Sequence, residues 1–314
     1  MSAHTALDIL IQSATLQRVC AEMFMRLGLP AEDAELVAES LVEADLRGVH
    51  SHGVLLVPGY VERIRLGGIN LQPKIQVVRE TASASLLDGD NGMGQVVAYR
   101  AMTLAIDKAK WSGIGAVGVM CSNHYAAGAR WAQMALAHDM IGLAVTNAGA
   151  IVAPWGGRTP LLGTNPWSVA VPAGEEFPVV LDMATSVVAA GKLVWALRRG
   201  ESIPLGWALD DEDRPTTDPH QGLAGRLLPS GTYKGYGLAV IVELLAGVLT
   251  GAALGPEMSR LIGQMQPLNV GHFFVAIDVG AFMSPEQFKA RVDGFIRALK
   301  HCELEPDLTE VLLP

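Results

Sequence analysis

The chain opens on two helical segments before any strand, and no later stretch restores a strict alternation of strand and helix. Thr15 can cap the first helix, which Leu16, Val19, Met23, Met25 and Leu27 line, and Gly28 and Pro30 break it. Pro30 then opens the second, with Glu32, Asp33 and Glu35 near its positive end and Leu36, Val37, Leu41, Val42 and Leu46 at helical spacing. A doubly wound sheet needs a βαβα rhythm, and this order argues against one. Beyond these, the pattern predicts a helix over 55–66 ended by Gly67-Gly68, strands within 75–90, a helix over 95–110, a buried strand over 114–120, a small-residue helix over 126–137 and a strand over 141–146. Short strands at 169–171 and 179–181, a helix over 183–199, an apolar helix from Lys234 to about Gly251, a strand at 273–277 and an amphipathic helix over 285–300 complete the order. Residues 200–232 have little periodicity but keep Trp207, Leu227 and Leu228, so they read as an ordered excursion rather than a linker.

One segment imitates a dinucleotide fingerprint. In Leu86-Leu-Asp-Gly-Asp-Asn-Gly-Met-Gly-Gln-Val-Val-Ala98, Gly92 and Gly94 match the first two glycines, but the third position is Val97. No acid ends a second strand about 20 residues later, as ribose binding requires. The segment reads as a turn.

Half of the 314 residues are hydrophobic and only 18% are charged, which points to a membrane protein or to a chain that buries surface in an oligomer. A span needs a run of about 20 apolar residues; the best stretch, Tyr236 to Leu254, is interrupted by glycines and by Glu243. That acid is expected to face a partner or a site inside a buried helix, and an oligomer is the better account. With a net charge of −9 and no Lys/Arg cluster, a nucleic-acid partner is not expected. Cys20, Cys121 and Cys302 are widely spaced with no CxxC, which favours a reducing compartment over a disulfide framework or zinc knuckle. The first ten residues lack the basic flank and apolar run of a leader, so the cytoplasm is expected.

Four positions can carry chemistry. His52, in Arg47-Gly-Val-His-Ser-His-Gly53, stands between glycines that allow a tight turn, and an imidazole is a natural proton donor near neutral pH; a helix-end cap is the bland alternative. His124 follows a buried strand, where ligands collect in open sheets, against the alternative of a satisfied core histidine. Asp182 ends a strand and opens a helix, either as an N-cap or to bind a ribose or orient a histidine. Lys234 opposes the dipole of the helix it starts, which invites an anion such as a phosphate or carboxylate. His50 and His52 would share a side in an extended segment, but no Cys or carboxylate stands at ligand spacing, and no metal is expected.

The ordered set Arg47-Gly-Val-His-Ser-His-Gly-Val54, Leu87-Asp-Gly-Asp-Asn-Gly-Met-Gly-Gln95, Ser122-Asn-His124, Ala153-Pro-Trp-Gly-Gly157, Gly163-Thr-Asn-Pro166, Leu181-Asp-Met-Ala-Thr-Ser186, Pro215-Thr-Thr-Asp-Pro219, Lys234-Gly-Tyr-Gly237 and Gly271-His-Phe-Phe274 resembles the malate/L-lactate dehydrogenase family of the non-Rossmann type. That family also includes ureidoglycolate and sulfolactate dehydrogenases, 2,3-diketogulonate reductase and Δ1-piperideine-2-carboxylate reductases. The resemblance implies an α/β fold: a non-Rossmann NAD(P)-binding domain with a mostly antiparallel mixed sheet, over 76–279, plus a helical lobe over 1–75 joined by 280–314. It implies a cytoplasmic homodimer that moves a hydride between NAD or NADP and C2 of a small 2-hydroxy or 2-oxo acid. His52 and His124 are then the catalytic pair, with either as acid/base, and Ser51 and Asn269 lie near the substrate. The cofactor set is Asp182, Met183, Ala184, Thr185, Lys234, Asn147 and Thr164. Two departures stand out: Leu56 replaces the family's usual arginine four residues after the histidine, and the sequence stops at Leu312-Leu-Pro314 where relatives continue with a glycine and a cofactor-contacting helix. The alternatives are a cyclic imino-acid reductase and a truncated, catalytically weak dimer.

Overall fold

The computed structural model describes residues 10–258 and 265–314; most of the N-terminal segment read for a leader, 1–9, lies outside them. Helices α1 (Ser13–Arg26) and α2 (Ala31–Leu46) form the expected hairpin. The first starts earlier than Thr15 suggests, with Gln12 as its flanking residue and no side-chain cap. Phe24, Val37 and Leu41 are fully buried between them and against Tyr60 and Ile64 of α3 (Val57–Arg65). Met93 and Val96 close the same cluster, which ties these helices to the next element rather than leaving them free.

The remaining main elements are β1 (Gln76–Glu80), β2 (Ala84–Asp88), α4 (Gly94–Ser112), β3 (Ile114–Ser122), α5 (Gly128–Gln133), β4 (Met140–Thr146), β5 (Trp167–Val171), β6 (Val179–Met183), α6 (Ala190–Arg199), β7 (Ala208–Leu209), β8 (Pro215–Thr216), α7 (Pro219–Ala224), β9 (Arg226–Leu227), α8 (Tyr233–Val242), β10 (Val270–Asp278) and α9 (Pro285–Lys300). Seven strands form one sheet in the order β1-β2-β3-β10-β4-β5-β6. Only β2 and β3 run parallel, joined by α4; the other neighbours are antiparallel. The mixed, mostly antiparallel sheet is therefore as expected. Strand alternation sorts the core by face. Val117, Val119, Phe274 and Ala276 pack under α4 and α5, whereas Val145 and Phe273 meet Val242 and Ala246 on the other face.

Three local expectations change, and a fourth, the ordered excursion, is given its form. The helix placed over 183–199 begins only at Ala190, because Thr185 is held to Thr164 and Ser186 bridges to Pro229; the β-branched run that follows has little helix propensity to oppose this. The helix over 126–137 is one α turn followed by a 3-10 turn, Met134–His138. The apolar helix widens into π-type turns over Glu243–Val248. The excursion 200–232 folds as a small sheet, β8-β7-β9, with α7, around Leu193, Ile203, Ala208 and Leu227.

Glu243 is buried and bonded within the chain. It accepts from Asn147 Nδ2 (3.0 Å), Gly255 N (3.0 Å) and Asn165 Nδ2 (2.7 Å). α9 is anchored to loops of the sheet: Asp293 accepts from the backbone N–H groups of Gly174, Glu175 and Glu176, and Lys289 reaches Asp139 at 2.7 Å. These anchors join the C-terminal segment to loops of the sheet. Among the described residues, no helix is long and apolar enough to cross a membrane.

Candidate active site

The site forms where the turn after α2 meets the end of β3. Gly48 (φ +75°) reverses the chain, and His50–His52 make one turn of 3-10 helix. Side chains in such a turn are roughly 120° apart, so His50 and His52 diverge instead of sharing a side. His50 Nδ1 donates to Asp45 at 2.9 Å and its ring stacks on Trp195 at 5.6 Å. His52 faces His124, ring centroids 5.7 Å apart and 27° from parallel. Among the described residues no group of three His, Cys, Asp or Glu side chains could hold a metal ion.

His124 is fixed by its neighbours on both sides. Asn123 Nδ2 donates to Asn91 O (3.0 Å) and Gly92 O (2.8 Å), which stitches this segment to the glycine turn before α4. That turn occupies the place of a dinucleotide loop in the β2-α4-β3 unit, yet Gly94 serves another purpose. A Cβ there would stand 2.2 Å from Asn123 O and 2.4 Å from His124 O. The missing side chain lets the histidine segment lie directly on the helix start. On the other side, Gln95 Nε2 donates to Tyr60 Oη (3.3 Å), and Tyr60 Oη lies 2.7 Å from His124 Nδ1. Burial holds the Tyr60 hydroxyl well above the usual phenol range, so it stays protonated and donates to Nδ1. This assigns the His124 proton to Nε2. Burial, with His52 and His272 adding repulsion, lowers the His124 pKa to about 3, so at neutral pH its ring is a neutral Nε2–H donor. Gln95 Oε1, Asn123 Oδ1 and Tyr125 Oη, all buried near this histidine, have no protein partner among the described residues.

His52 differs. Burial lowers its pKa, and the charge of Asp182 opposes that shift. Ser51 Oγ lies 2.9 Å from its Nδ1. Asp182 is not an N-cap at a strand end; it lies within β6, accepting from Ser168 Oγ (2.7 Å) and Ala129 N (2.9 Å). The strand continues through Met183 because Trp167 pairs with that residue.

The expected cofactor residues divide into two groups. Thr185 donates to Thr164 O through both N (2.9 Å) and Oγ1 (2.9 Å), and Ser230 N donates to Thr185 O at 2.8 Å. Met183, Ala184, Thr185, Thr164 and the exposed Lys234 at the start of α8 therefore border one edge. Asn147 is buried, behind that edge in the hydrogen-bond network that runs through Glu243 to Asn165. Its Nδ2 donates to Glu243 and Ala253 O and its Oδ1 accepts from Gly271 N, so its amide is fully engaged in the core. Asn269 (φ +50°) uses Oδ1 to accept from Cys121 N at 2.8 Å. His272 is a satisfied core histidine, bonded to Thr146 Oγ1 and Ser122 Oγ at 2.8 Å each. Leu56 packs into the N-terminal hydrophobic cluster, which accounts for an apolar residue there. Sequence reasoning missed Asp45, Tyr60 and Gln95. The only signal for Tyr60 and Gln95 was a polar residue on an otherwise apolar helix face, and such a face is defined only by its partner.

A family model described as malate/L-lactate dehydrogenase matches residues 11–314. The chain is 43% identical over 283 residues to the L-sulfolactate dehydrogenase of Methanothermobacter thermautotrophicus, covering 90% of this chain and 83% of that one. Among solved structures, the malate dehydrogenase of Pyrococcus horikoshii OT3 superposes with a TM-score of 0.88 at 41% identity, over 97% of this chain and 86% of that one. The Δ1-piperideine-2-carboxylate reductase of Pseudomonas syringae pv. tomato superposes with a TM-score of 0.86 at 31% identity, over 93% and 88% of the two chains.

Proposed function

The chain belongs to the malate/L-lactate dehydrogenase family, and from that premise we propose that His52 is its acid/base and His124 its neutral hydrogen-bond donor to substrate. The chain is an NAD(P)-dependent oxidoreductase acting on small 2-hydroxy or 2-oxo acids. The observation that carries the division of roles is the contrast in environment of two facing imidazoles. Tyr60 and Gln95 fix the His124 proton on Nε2 and burial keeps the ring neutral, while Asp182 favours a proton on His52.

The residues fit a dinucleotide by the chemistry of their donors. Lys234 is exposed in the first turn of α8 and forms no ion pair among the described residues. Gly237, three residues on along the same face, has no atom within 4 Å of where a Cβ would stand. Lys234 would hold an anionic group of the nucleotide, with Asp182, Met183, Ala184, Thr185 and Thr164 along its edge; Asn147 would act only by supporting that edge from the core. Bound NADH or NADPH supplies the hydride for C2, and names among the relatives include both an NAD(+) and an NADP(+) form. As C2 gains the hydride, its oxygen takes a proton from His52, and His124 Nε2–H stabilises the charge developing there. Ser51 and Asn269 border the substrate. The helical lobe 1–75, which carries His52 and Tyr60, and the central domain 76–279, which carries His124, enclose the substrate between them.

The apolar surface of α8 supports a homodimer, and three free cysteines support a reducing, cytoplasmic setting. A second reading, reduction of a cyclic imino acid by the same groups, draws on the superposition with a Δ1-piperideine-2-carboxylate reductase. A panel of 2-oxo acids and cyclic imines, each with NADH and NADPH, followed by nucleotide absorbance, tests both. Turnover on the oxo acids, lost by about 100-fold or more in His52→Ala, is expected; unchanged turnover in both His52→Ala and His124→Ala would overturn the assignment.

A further inference from the structure

Asp45 occupies the last turn of α2, where a carboxylate meets the negative end of the helix dipole. Nothing in the helix favours it there, and among the described residues no lysine or arginine is bonded to it. Its two oxygens instead reach forward onto the turn that carries His52. Oδ1 accepts from His50 Nδ1 at 2.9 Å, and Oδ2 accepts from Val54 N at 2.8 Å. The residue is thus bonded to both flanks of the three-residue turn, two positions on either side of the catalytic imidazole. The chain between is closed by His52 N donating to Val49 O (2.9 Å) and Gly53 N to His50 O (3.2 Å).

Gly53 makes this grip possible. A Cβ at that position would stand 2.2–2.4 Å from all three carboxyl-group atoms of Asp45. The φ of Gly53 is −88°, so glycine is required here for space and not for a left-handed backbone. On its far side the same turn abuts α6, where His50 stacks on Trp195 and a Cβ on Gly191 would stand 2.7 Å from Ser51 Cβ. The turn is held between α2 and α6, and the carboxylate is the bonded element of that hold.

We propose that Asp45, with Gly53 as the residue that admits it, is the positioning residue for His52, setting the ring against His124. The inference rests on the assignment of His52 as acid/base. The role differs from a catalytic one, since Asp45 meets the reacting atoms only through the turn. It differs also from simple stabilisation, because the bonds fall on the flanks of one functional side chain and because a local dipole rule is broken to make them.

The test compares Asp45→Asn, Asp45→Ala, Gly53→Ala and the double variant Asp45→Ala/Gly53→Ala with the parent chain. Asp45→Asn is isosteric and is the variant to rely on if the others fold poorly. A displacement of the ring by about 1 Å costs up to about 100-fold in turnover, so kcat is expected to fall about 10- to 100-fold in Asp45→Ala and Gly53→Ala. The double variant should be no slower than the slower single, as for two residues acting through one contact, and KM for the nucleotide should stay within about twofold, as for loss of an interaction felt only in the transition state. Values of kcat within about twofold of the parent in every variant, whatever happens to Tm, would overturn the proposal. A second readout does not need turnover: ¹⁵N spectra of the imidazoles, with His52 assigned by its absence in His52→Gln. Asp45→Asn should change the His52 ring signals and their titration; superimposable His52 signals would overturn the proposal. If the parent turns over none of the acids or imines, the functional reading fails separately, and the spectra still decide whether Asp45 positions the ring.

Discussion

His52 and His124 are the same residue type 5.7 Å apart, and their surroundings assign them different work. With His52 as the proposed acid, reduction requires its protonated form, so that rate is expected to fall as pH rises through its pKa, which burial places below the ordinary histidine value. Asp182 is the group that opposes this lowering. Asp182→Asn therefore moves the pH limb of kcat/KM for reduction to more acid values; the readout is the position of the limb and not its height, since Asp182 also borders the proposed nucleotide site. A limb that stays in place would show that Asp182 acts on something other than this ring. Of these residues, His52, His124 and Asp182 stood out as candidates in the sequence, because a titratable group beside glycines or in a strand-to-loop segment is unusual in itself. Tyr60 was not. A tyrosine in an amphipathic helix reads as core, and only the approach of β3 turns its hydroxyl into the donor for His124.

Secondary elements with a strong period came through closely: α1, α2, α4, β3, β4 and α9 all match the apolar pattern that announces them. The failures fall where a tertiary bond overrides local preference. Residues 184–189 stay out of the helix because Thr164 and Pro229 hold them, and the turn at 50–56 is 3-10 because Asp45 closes it. The glycine turn before α4 looked like a phosphate loop and was excluded on its missing third glycine; the reason for Gly94 became visible only with Asn123 and His124 against it. Gly94→Ala should overpack this contact, destabilising the protein by about 1–3 kcal/mol and lowering kcat through His124. Urea unfolding and steady-state kinetics on one preparation check it, and an Ala variant with parental stability and kcat would contradict the packing.

At the scale of the whole molecule, the apolar excess has a visible destination. Leu238, Ile241, Leu244, Val248 and Leu249 are 42–63% exposed along α8 and its π-type extension. Charged residues are absent from this stripe, and Glu243 turns inward to Asn147 and Asn165. Patches of this kind mark protein contacts, and a second copy of the chain is the occupant that a homodimer requires. If the proposed homodimer forms through this stripe, Leu244→Asp should shift the sedimentation profile from dimer to monomer; a parent chain that sediments as a monomer, or a dimer that persists in the variant at low micromolar concentration, would contradict it. Sequence alone determined the local matter: where most helices and strands lie, and which histidines are candidates for proton transfer, because spacing, glycine and titratable side chains act over a few residues. Tertiary structure decided the rest. β10 enters between β3 and β4 from more than a hundred residues away, and α3 meets β3 across the site. Which imidazole stays neutral, and which carboxylate holds the other in place, depends on burial and on bonds between segments far apart in the chain, and no local pattern encodes either.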